Sequence, residues 1–281
     1  MREYAEPTPI DLQAFSTSRI LKESWEICIK YFGALVMPMF ILIIPGVIAA
    51  MIIDSKLGES IGNFVGGILM PIASMGINRS LITLKREGKS PTLGTTFDHG
   101  CEYWWRGIRI GIVSAFYFIL LFFAIIALIL PGALLIKESA FVGGILLTLG
   151  TVAVIWLSIW FCARACLAIP SMADSSLDAF PAFEAGWKIA KENMAHTRTV
   201  VLALGGLGFA AFLFAIIIVA ITSLVFVASG IGSEEAAIGL MALPALVLYA
   251  AGLTFAYVAL NLTYQALKPA PKEEESPLPA V

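Results

Sequence analysis

Six long apolar segments restrict this sequence to one class of fold. They cover residues 33–53, 61–84, 108–136, 141–169, 199–228 and 236–267. About 20 helical residues cross the roughly 30 Å hydrocarbon core of a bilayer, so each segment is long enough for one crossing. Only 14% of the residues are charged, well below the soluble average of about 25%. The sequence therefore predicts an all-α integral membrane protein with six transmembrane helices.

Basic residues divide the connections between these segments into two groups. Of the 18 Lys and Arg residues, only Lys56 and Lys137 fall in the connections that follow the odd-numbered segments. Basic residues accumulate on the cytoplasmic side of a membrane, so both termini are expected in the cytoplasm. The first 32 residues lack a basic start followed by an apolar run, and no cleavable signal is expected there.

An amphipathic stretch, which we call a lead-in, precedes the first, third and fifth apolar segments. The three lead-ins read RILKESWEICIKYF over residues 19–32, TFDHGCEYWWRGI over 96–108 and LDAFPAFEAGWKIAKENMA over 177–195. On a helix, the apolar side chains of the first lead-in form one stripe and its charges lie opposite. Such a helix is expected to lie flat in the membrane interface, with its Trp at headgroup depth.

The lead-ins and the segments that return to the same side recur as a unit. Each lead-in carries a Trp with a basic residue four or five positions later, which gives the predicted interfacial anchors Trp25, Trp104, Trp187, Lys30, Arg109 and Lys191. The return segments share NRSLITLK at 78–85 and NLTYQALK at 261–268. This predicts one membrane domain, residues 1–268, built from three parallel repeats over 16–91, 92–175 and 176–268. Each repeat is an interfacial amphipathic helix plus a helical hairpin. Residues 269–281, which are acidic and Pro-rich, are predicted to be a disordered cytoplasmic tail.

Two arginines are the candidate site. Arg79 and Arg164 are the ionisable residues deepest in the apolar segments, and they occupy matching places in the first and second repeats. Near the inner boundary, a long side chain can extend to lipid phosphate and act as a topology anchor. If the two side chains instead face the bundle interior, they would contact a lipid headgroup or another anion. Both interpretations stay open at this stage.

Enzymatic chemistry has no support in the sequence. The two histidines, His99 and His196, are not spaced with other ligands or with a nucleophile, and no phosphate-binding loop or hydrolase motif occurs. Cys162 and Cys166 share a helix face without further metal ligands nearby. A net charge of −2 gives no basic field that would attract nucleic acid. We therefore expect no catalytic residues, no cofactor and no metal.

The third lead-in also carries a family resemblance. SLDAFPAFEAGWKIAKEN over residues 176–193, with Arg164 and Pro170 before it and the shorter echo SWEICIKYFG at 24–33, resembles the membrane domain beside some bacterial glycerophosphodiester phosphodiesterases. It is also similar to related uncharacterised six-span bacterial inner-membrane proteins. In those enzymes a separate soluble domain carries the chemistry, and this sequence contains no such domain. The resemblance implies a bacterial plasma (inner) membrane location and an accessory role.

Two functions remain as expectations. The first is a non-enzymatic accessory or scaffold module that engages membrane lipids, or a membrane or cytoplasmic protein partner, through the cytoplasmic interfacial helices. The alternative is a small-solute or lipid transporter with its pathway along the pseudo-threefold axis of the repeats. The mid-membrane parts of the six segments contain no Asp, Glu, Lys, Arg or His, which disfavours ion-coupled pumping. A packed axis would favour the first function and an open axis the second.

Overall fold

The structure, a computed structural model, describes residues 16–52, 56–175, 177–229 and 234–269. Within these ranges the chain forms helices and no strands. The helices are α1 (Thr17–Lys30), α2 (Phe32–Ile52), α3 (Lys56–Glu87), α4 (Leu93–Leu135), α5 (Ala140–Ala165), α6 (Ala168–Asp174), α7 (Ala179–Glu192), α8 (Met194–Ser229) and α9 (Glu234–Leu267). The predicted all-α class is confirmed.

The long apolar helices are those expected of a helical membrane protein. In the described residues, four stretches are long and apolar enough to cross a bilayer, namely Ser60–Glu87, Leu93–Leu135, Ala140–Asp174 and Ala245–Leu267. A fifth is added if the bent pair Thr17–Lys30 and Phe32–Gly46 is counted as one span. The count of six crossings stays a prediction. Residues 270–281 of the predicted tail and the first 15 residues lie outside the described part of the chain.

The helices form a closed ring with a cover at one end. Going around the ring, α2, α3, α4, α5, α8 and α9 each contact the next, and α9 returns to α2. At the end where α3 and α9 terminate, α1 packs on α9, while α6 and α7 pack against α3, α4 and α5. By the positive-inside argument, this end is the one predicted to face the cytoplasm.

Two of the three lead-ins end in the same backbone break. Tyr31 separates α1 from α2 with φ −115° and ψ 32°, and Asn193 separates α7 from α8 with φ −115° and ψ 36°. Each break lies six positions after the tryptophan of its lead-in, Trp25 or Trp187. Across the first break the chain bends by 83°. The first and third lead-ins are therefore separate short helices, as predicted.

The second lead-in differs from the prediction because it is not a separate helix. Residues 96–108 form the first part of the 43-residue helix α4, which continues without a break through Ile110. Ile110 is buried, and a β-carbon at Gly107 would lie 2.8 Å from Met75 Cγ. α4 thus stays pressed on α3 on both sides of the expected break, so packing favours a straight helix there.

Glycines bring α3 and α4 into backbone contact. A β-carbon on Gly76 would lie 2.3 Å from the carbonyl oxygen of Thr96, and one on Gly100 would lie 2.4 Å from that of Ile72. Real β-carbons do not approach a backbone oxygen so closely, hence only glycine fits this crossing. Nothing lies within 4 Å of a β-carbon built at Gly111, further along α4.

An asparagine pair joins α3 and α9 in the interior. Asn78 and Asn261 are both fully buried, and Asn261 Nδ2 donates to Asn78 Oδ1 at 2.8 Å and to its carbonyl oxygen at 3.2 Å. Asn78 Nδ2 donates to the carbonyl oxygen of Ser74 at 2.8 Å. The two asparagines begin the matching sequences of the first and third repeats. Because a buried amide requires partners, the pair fixes the rotation of these two helices against each other.

Candidate functional site

The candidate site is the connection between α6 and α7 at the covered end of the ring. We call residues 173–178 the strap; residue 176 lies outside the described part of the chain. The strap begins with the last two residues of α6, Ala173 and Asp174, and ends at Asp178, the N-cap residue of α7. Pro170 is the third residue of α6, where its missing N–H costs little. Basic side chains from α3, from α4 and from the residue that follows α9 converge on the strap.

Asp174 is the centre of an ionic cluster. Its side chain is only 2% exposed and pairs with Arg86 of α3 and with Lys268, just past the end of α9. The hydroxyl of Tyr264 donates to the same carboxylate at 3.1 Å. Burying a carboxylate costs several kcal/mol unless cations and donors compensate, and here two cations and a phenol do so. The cluster therefore ties α3, α6 and α9 together.

Three further arginines hold the rest of the strap. Arg79 Nη1 donates to the carbonyl oxygen of Ala173 at 3.2 Å, and Arg106 Nη2 donates to those of Ser175 at 2.6 Å and Leu177 at 2.7 Å. Arg109 pairs with the exposed carboxylate of Asp178 at 3.0 Å. Arginine suits this task because its donors are fixed in a planar fork. Arginines of α3 and α4 therefore bind the strap at residues 173, 175, 177 and 178.

Tyr103 contacts two of these arginines. The guanidinium carbons of Arg79 and Arg106 are 5.2 Å and 5.4 Å from the centre of its ring. At these distances each cation is attracted to the aromatic ring. Tyr103 belongs to α4, and the glycine-mediated crossing of α3 and α4 brings Arg79 of α3 close to it. Two positive charges are thus held around one aromatic side chain.

Arg164, the other arginine of the predicted site, lies in a different environment. Its guanidinium carbon is 4.0 Å from the ring centre of Trp160 and 5.7 Å from that of Trp187. Its Nε is buried and has no hydrogen-bond partner among the described residues. Arg79 and Arg164 thus contact different groups: Arg79 contacts the strap and Tyr103, while Arg164 contacts two tryptophans.

The three predicted Trp anchors have unequal surroundings. Trp25 is 61% exposed and touches the edge of Phe255 of α9, and Trp104 is 38% exposed and lies beside its neighbour Trp105. Trp187 instead packs in an aromatic cluster with α4 and α5 side chains. Its ring centre is within about 6 Å of those of Tyr117, Trp160, Phe161 and Phe183.

The basic anchors differ in the same way. Lys30 and Lys191 are exposed, and Lys30 lies over the ring of Tyr31 at 5.2 Å, whereas Arg109 pairs with Asp178 of the strap.

Sequence reasoning missed Asp174, Arg106 and Tyr103. The one available signal was the run ADSSLD at 173–178, which places two carboxylates between an apolar segment and the start of a lead-in.

Comparison with known proteins adds no family. No protein-family model, no curated protein and no solved structure matches the chain. The class is therefore defined by the fold and the strap: an all-helical protein with long apolar helices of the membrane type, tied together at one end by an ionic cluster. The resemblance to the phosphodiesterase-associated membrane domain stays a prediction.

Replacing Asp174 with alanine is expected to lower the free energy of unfolding by about 1.5–3 kcal/mol, the usual contribution of hydrogen bonds to a charged group. Arg86 and Lys268 are 54% and 39% exposed, so water can solvate both after the change and the loss stays within that range. Thermal or SDS unfolding of the purified protein, followed by near-ultraviolet circular dichroism, measures the difference.

The matched control for this change is Asp178→Ala. It removes a carboxylate from the same strap, but one that is 77% exposed, whose pair with Arg109 is screened by water and contributes about 0–1 kcal/mol. Equal losses in the two variants would contradict the central role assigned to Asp174.

Proposed function

We propose that this chain is a non-enzymatic, multi-pass accessory module of a bacterial plasma membrane with both termini in the cytoplasm. It engages inner-leaflet lipid, or a protein partner at the same surface, through helices that lie in the membrane interface. The observation that carries this proposal is the 83° bend between α1 and α2. If α2 crosses the bilayer, α1 must lie almost in the membrane plane, as an interfacial helix does.

The side chains of α1 suit such a position. Its buried face, Ile20, Ser24 and Cys28, packs on the bundle. Beside that face, Trp25 and Ile29 are 61% and 58% exposed. Moving exposed apolar side chains of this size from water into the acyl boundary of the membrane lowers the free energy. This second face is therefore suited to lipid.

The third face of α1 is charged. Lys22 and Glu26 approach each other at 4.0 Å and are 79% and 64% exposed. A helix with one face on protein, one apolar exposed face and one charged exposed face fits the boundary between bundle, lipid and water. The order of the three faces around α1 supports its assignment as an interfacial helix.

The interior supports a packed module over the transport alternative. The Asn78–Asn261 pair is fully buried where α3 meets α9, and these two helices, together with α2, also supply buried apolar side chains to one core cluster. These include Met39, Ile77, Val258 and Leu262. A solute pathway near this contact would have to separate the pair and leave buried amides without partners. The ionic groups of the strap bind other parts of the chain, which supports a structural role for them.

The accessory role follows the resemblance noted at the third lead-in. In enzymes with that membrane domain, the chemistry is carried by a separate soluble domain. The membrane part then contributes location and contact with lipid or partner. The same division of labour is proposed for this chain.

Spin labels on α1 test the proposal. Nitroxides attached singly at positions 22, 25, 26 and 29 of a cysteine-free variant, reconstituted in liposomes, report their accessibility to oxygen and to a water-soluble nickel complex. Labels replacing Trp25 and Ile29 should favour oxygen, because this face lies in the acyl boundary. Labels replacing Lys22 and Glu26 should favour nickel. Four labels with the same high nickel accessibility would refute an interfacial α1.

A further inference from the structure

The positive charges around the strap are not all neutralised. Arg86 and Lys268 share the carboxylate of Asp174, and Arg109 pairs with Asp178. Arg79 and Arg106 donate only to carbonyl oxygens, which carry no net charge. Among the residues that the structure describes, neither of these two arginines forms an ion pair with a carboxylate. Two arginines without a paired carboxylate therefore lie around Tyr103, and the exposed carboxylate of Glu87 acts on Arg79 at longer range.

Both arginines keep donors for a ligand. A guanidinium has five N–H donors. Arg79 uses one nitrogen, Nη1, for the strap, and Arg106 uses one, Nη2, for two carbonyl oxygens. The hydroxyl oxygen of Ser175, the residue whose carbonyl Arg106 binds, is buried and has no hydrogen-bond partner among the described residues. Both arginines and the hydroxyl of Ser175 thus keep donors that the chain itself does not use.

The scaffold holds these donors in position before any ligand arrives. Tyr103 lies within about 5 Å of both guanidinium groups. The strap carbonyls fix one end of each arginine, and the close crossing of α3 and α4 fixes the distance between their helices. Preorganised donors of this kind bind an anion with little loss of side-chain entropy.

We propose that Arg79 and Arg106, together with Tyr103 and the hydroxyl of Ser175, bind a phosphate group. A phosphate matches two guanidinium forks because each fork can take two of its oxygens. Arg79 is about 12 Å from the end of α3 at 1.5 Å per residue, which is close enough to the helix end for headgroup phosphate to reach it. The favoured source is thus an anionic phospholipid of the inner leaflet. This inference rests on the proposed engagement of lipid and names its site.

The pairing differs from the one predicted from sequence. The repeat predicts that Arg79 pairs with Arg164, but the guanidinium carbon of Arg164 lies 4.0 Å from the ring centre of Trp160. Arg106 is the arginine that shares Tyr103 and the strap with Arg79. The site thus combines α3 and α4 rather than matching positions of two repeats.

Arginine-selective modification tests the inference on the unaltered protein. The full chain is placed in nanodiscs of phosphatidylglycerol or phosphatidylcholine, treated with phenylglyoxal, and the modified arginines are quantified by mass spectrometry. A phosphate held by both forks should slow modification of Arg79 and Arg106 by about tenfold in phosphatidylglycerol. A third sample, phosphatidylcholine with added inorganic phosphate, identifies the source.

Each result has a defined meaning. Protection in phosphatidylglycerol alone supports a lipid headgroup, and protection by inorganic phosphate supports the same site with a soluble phosphate as its ligand. Equal modification in all three samples overturns the inference. Since the spin labels on α1 do not depend on these arginines, interfacial labels combined with unprotected arginines would reject the phosphate site and leave the proposed function intact.

Variants provide a second measurement. Arg79→Gln and Arg106→Gln keep a donor for the strap carbonyls but remove the charge, and the double variant should retain about tenfold less phosphatidylglycerol in native mass spectrometry. Lys188→Gln is the matched control, because it removes an exposed positive charge from α7 that forms neither an ion pair nor a ring contact among the described residues. Retention by the double variant equal to that of the control would also overturn the inference.

Discussion

Replacing Gly100 with valine should separate α3 from α4 and strongly destabilise the protein. A β-carbon at this position would lie 2.4 Å from the carbonyl oxygen of Ile72 and 2.8 Å from its Cγ2. The first of these atoms belongs to the backbone, so the clash is relieved only if a whole helix moves. Overpacking of a tight core costs about 1–3 kcal/mol and occasionally more, and a rigid β-branched side chain against backbone belongs at the upper end.

The same helix supplies the control for this prediction. Gly111→Val adds the same side chain to α4, but nothing lies within 4 Å of a β-carbon there. Its effect on the free energy of unfolding should stay within about 0.5 kcal/mol, as for most substitutions outside the core. SDS unfolding followed by near-ultraviolet circular dichroism compares the two variants. Equal stabilities would show that α3 and α4 are not in backbone contact.

This change should also affect the proposed phosphate site. The crossing at Gly76 and Gly100 brings Arg79 close to Tyr103 and Arg106, which belong to the other helix. A variant with α4 displaced should therefore lose the protection of both arginines, even though neither has been altered. The proposed phosphate site therefore depends on the fold, because the contact between α3 and α4 also positions both arginines at Tyr103.

The helices themselves were predictable from the sequence. A long apolar segment has few structural solutions in lipid, because every backbone polar group must be paired inside the segment, and a helix achieves this locally. The 3.6-residue periodicity of residues 19–32 likewise indicated a short amphipathic helix, and α1 forms at Thr17–Lys30. The sequence therefore predicted the long helices and α1, which are determined by local residue patterns.

The strap was not predictable because its contacts are long-range. α6 has seven residues, too few to show a helical period, and its partners come from distant parts of the chain. Asp174 and Lys268 are 94 positions apart, and so are Arg79 and Ala173. Nothing in a single sequence links such positions. The polar run at 173–178 indicated a connection but not what would bind it.

The threefold repeat stays a prediction, and the pairing of Arg79 with Arg164 that it suggested is not the one that the structure shows. Tyr31 and Asn193 break the chain at matching places, and Asn78 meets Asn261. A parallel repeat predicts that matching positions share a depth in the membrane, but depth alone does not determine which neighbour a side chain meets. Arg164 has tryptophans beside it where Arg79 has the strap. Threefold symmetry of the whole domain stays a prediction.

Replacing Trp187 with alanine tests most directly whether the tryptophans of the three lead-ins have the same role. Trp187 joins α7 to α4 through Tyr117 and to α5 through Trp160 and Phe161, and it contributes to the stacking of Arg164. A fully buried Trp→Ala change costs about 3–5 kcal/mol, and because Trp187 is only partly buried, we expect roughly 2–4 kcal/mol. The variant also loses one of the two aromatic rings that contact Arg164, and this loss contributes to the cost.

Trp25→Ala is the matched comparison, since it truncates the same residue type at the matching place of the first lead-in. Trp25 is 61% exposed and meets the bundle mainly at Phe255, so the free energy of unfolding should change by less than about 1 kcal/mol. Unfolding of both variants in one detergent, with near-ultraviolet circular dichroism as the probe, gives the two values directly. Similar small losses would place Trp187 at the lipid interface like Trp25 and would favour three equivalent anchors. A loss confined to Trp187→Ala means that α7 is held to the bundle by packing, while α1 keeps its tryptophan free for the membrane.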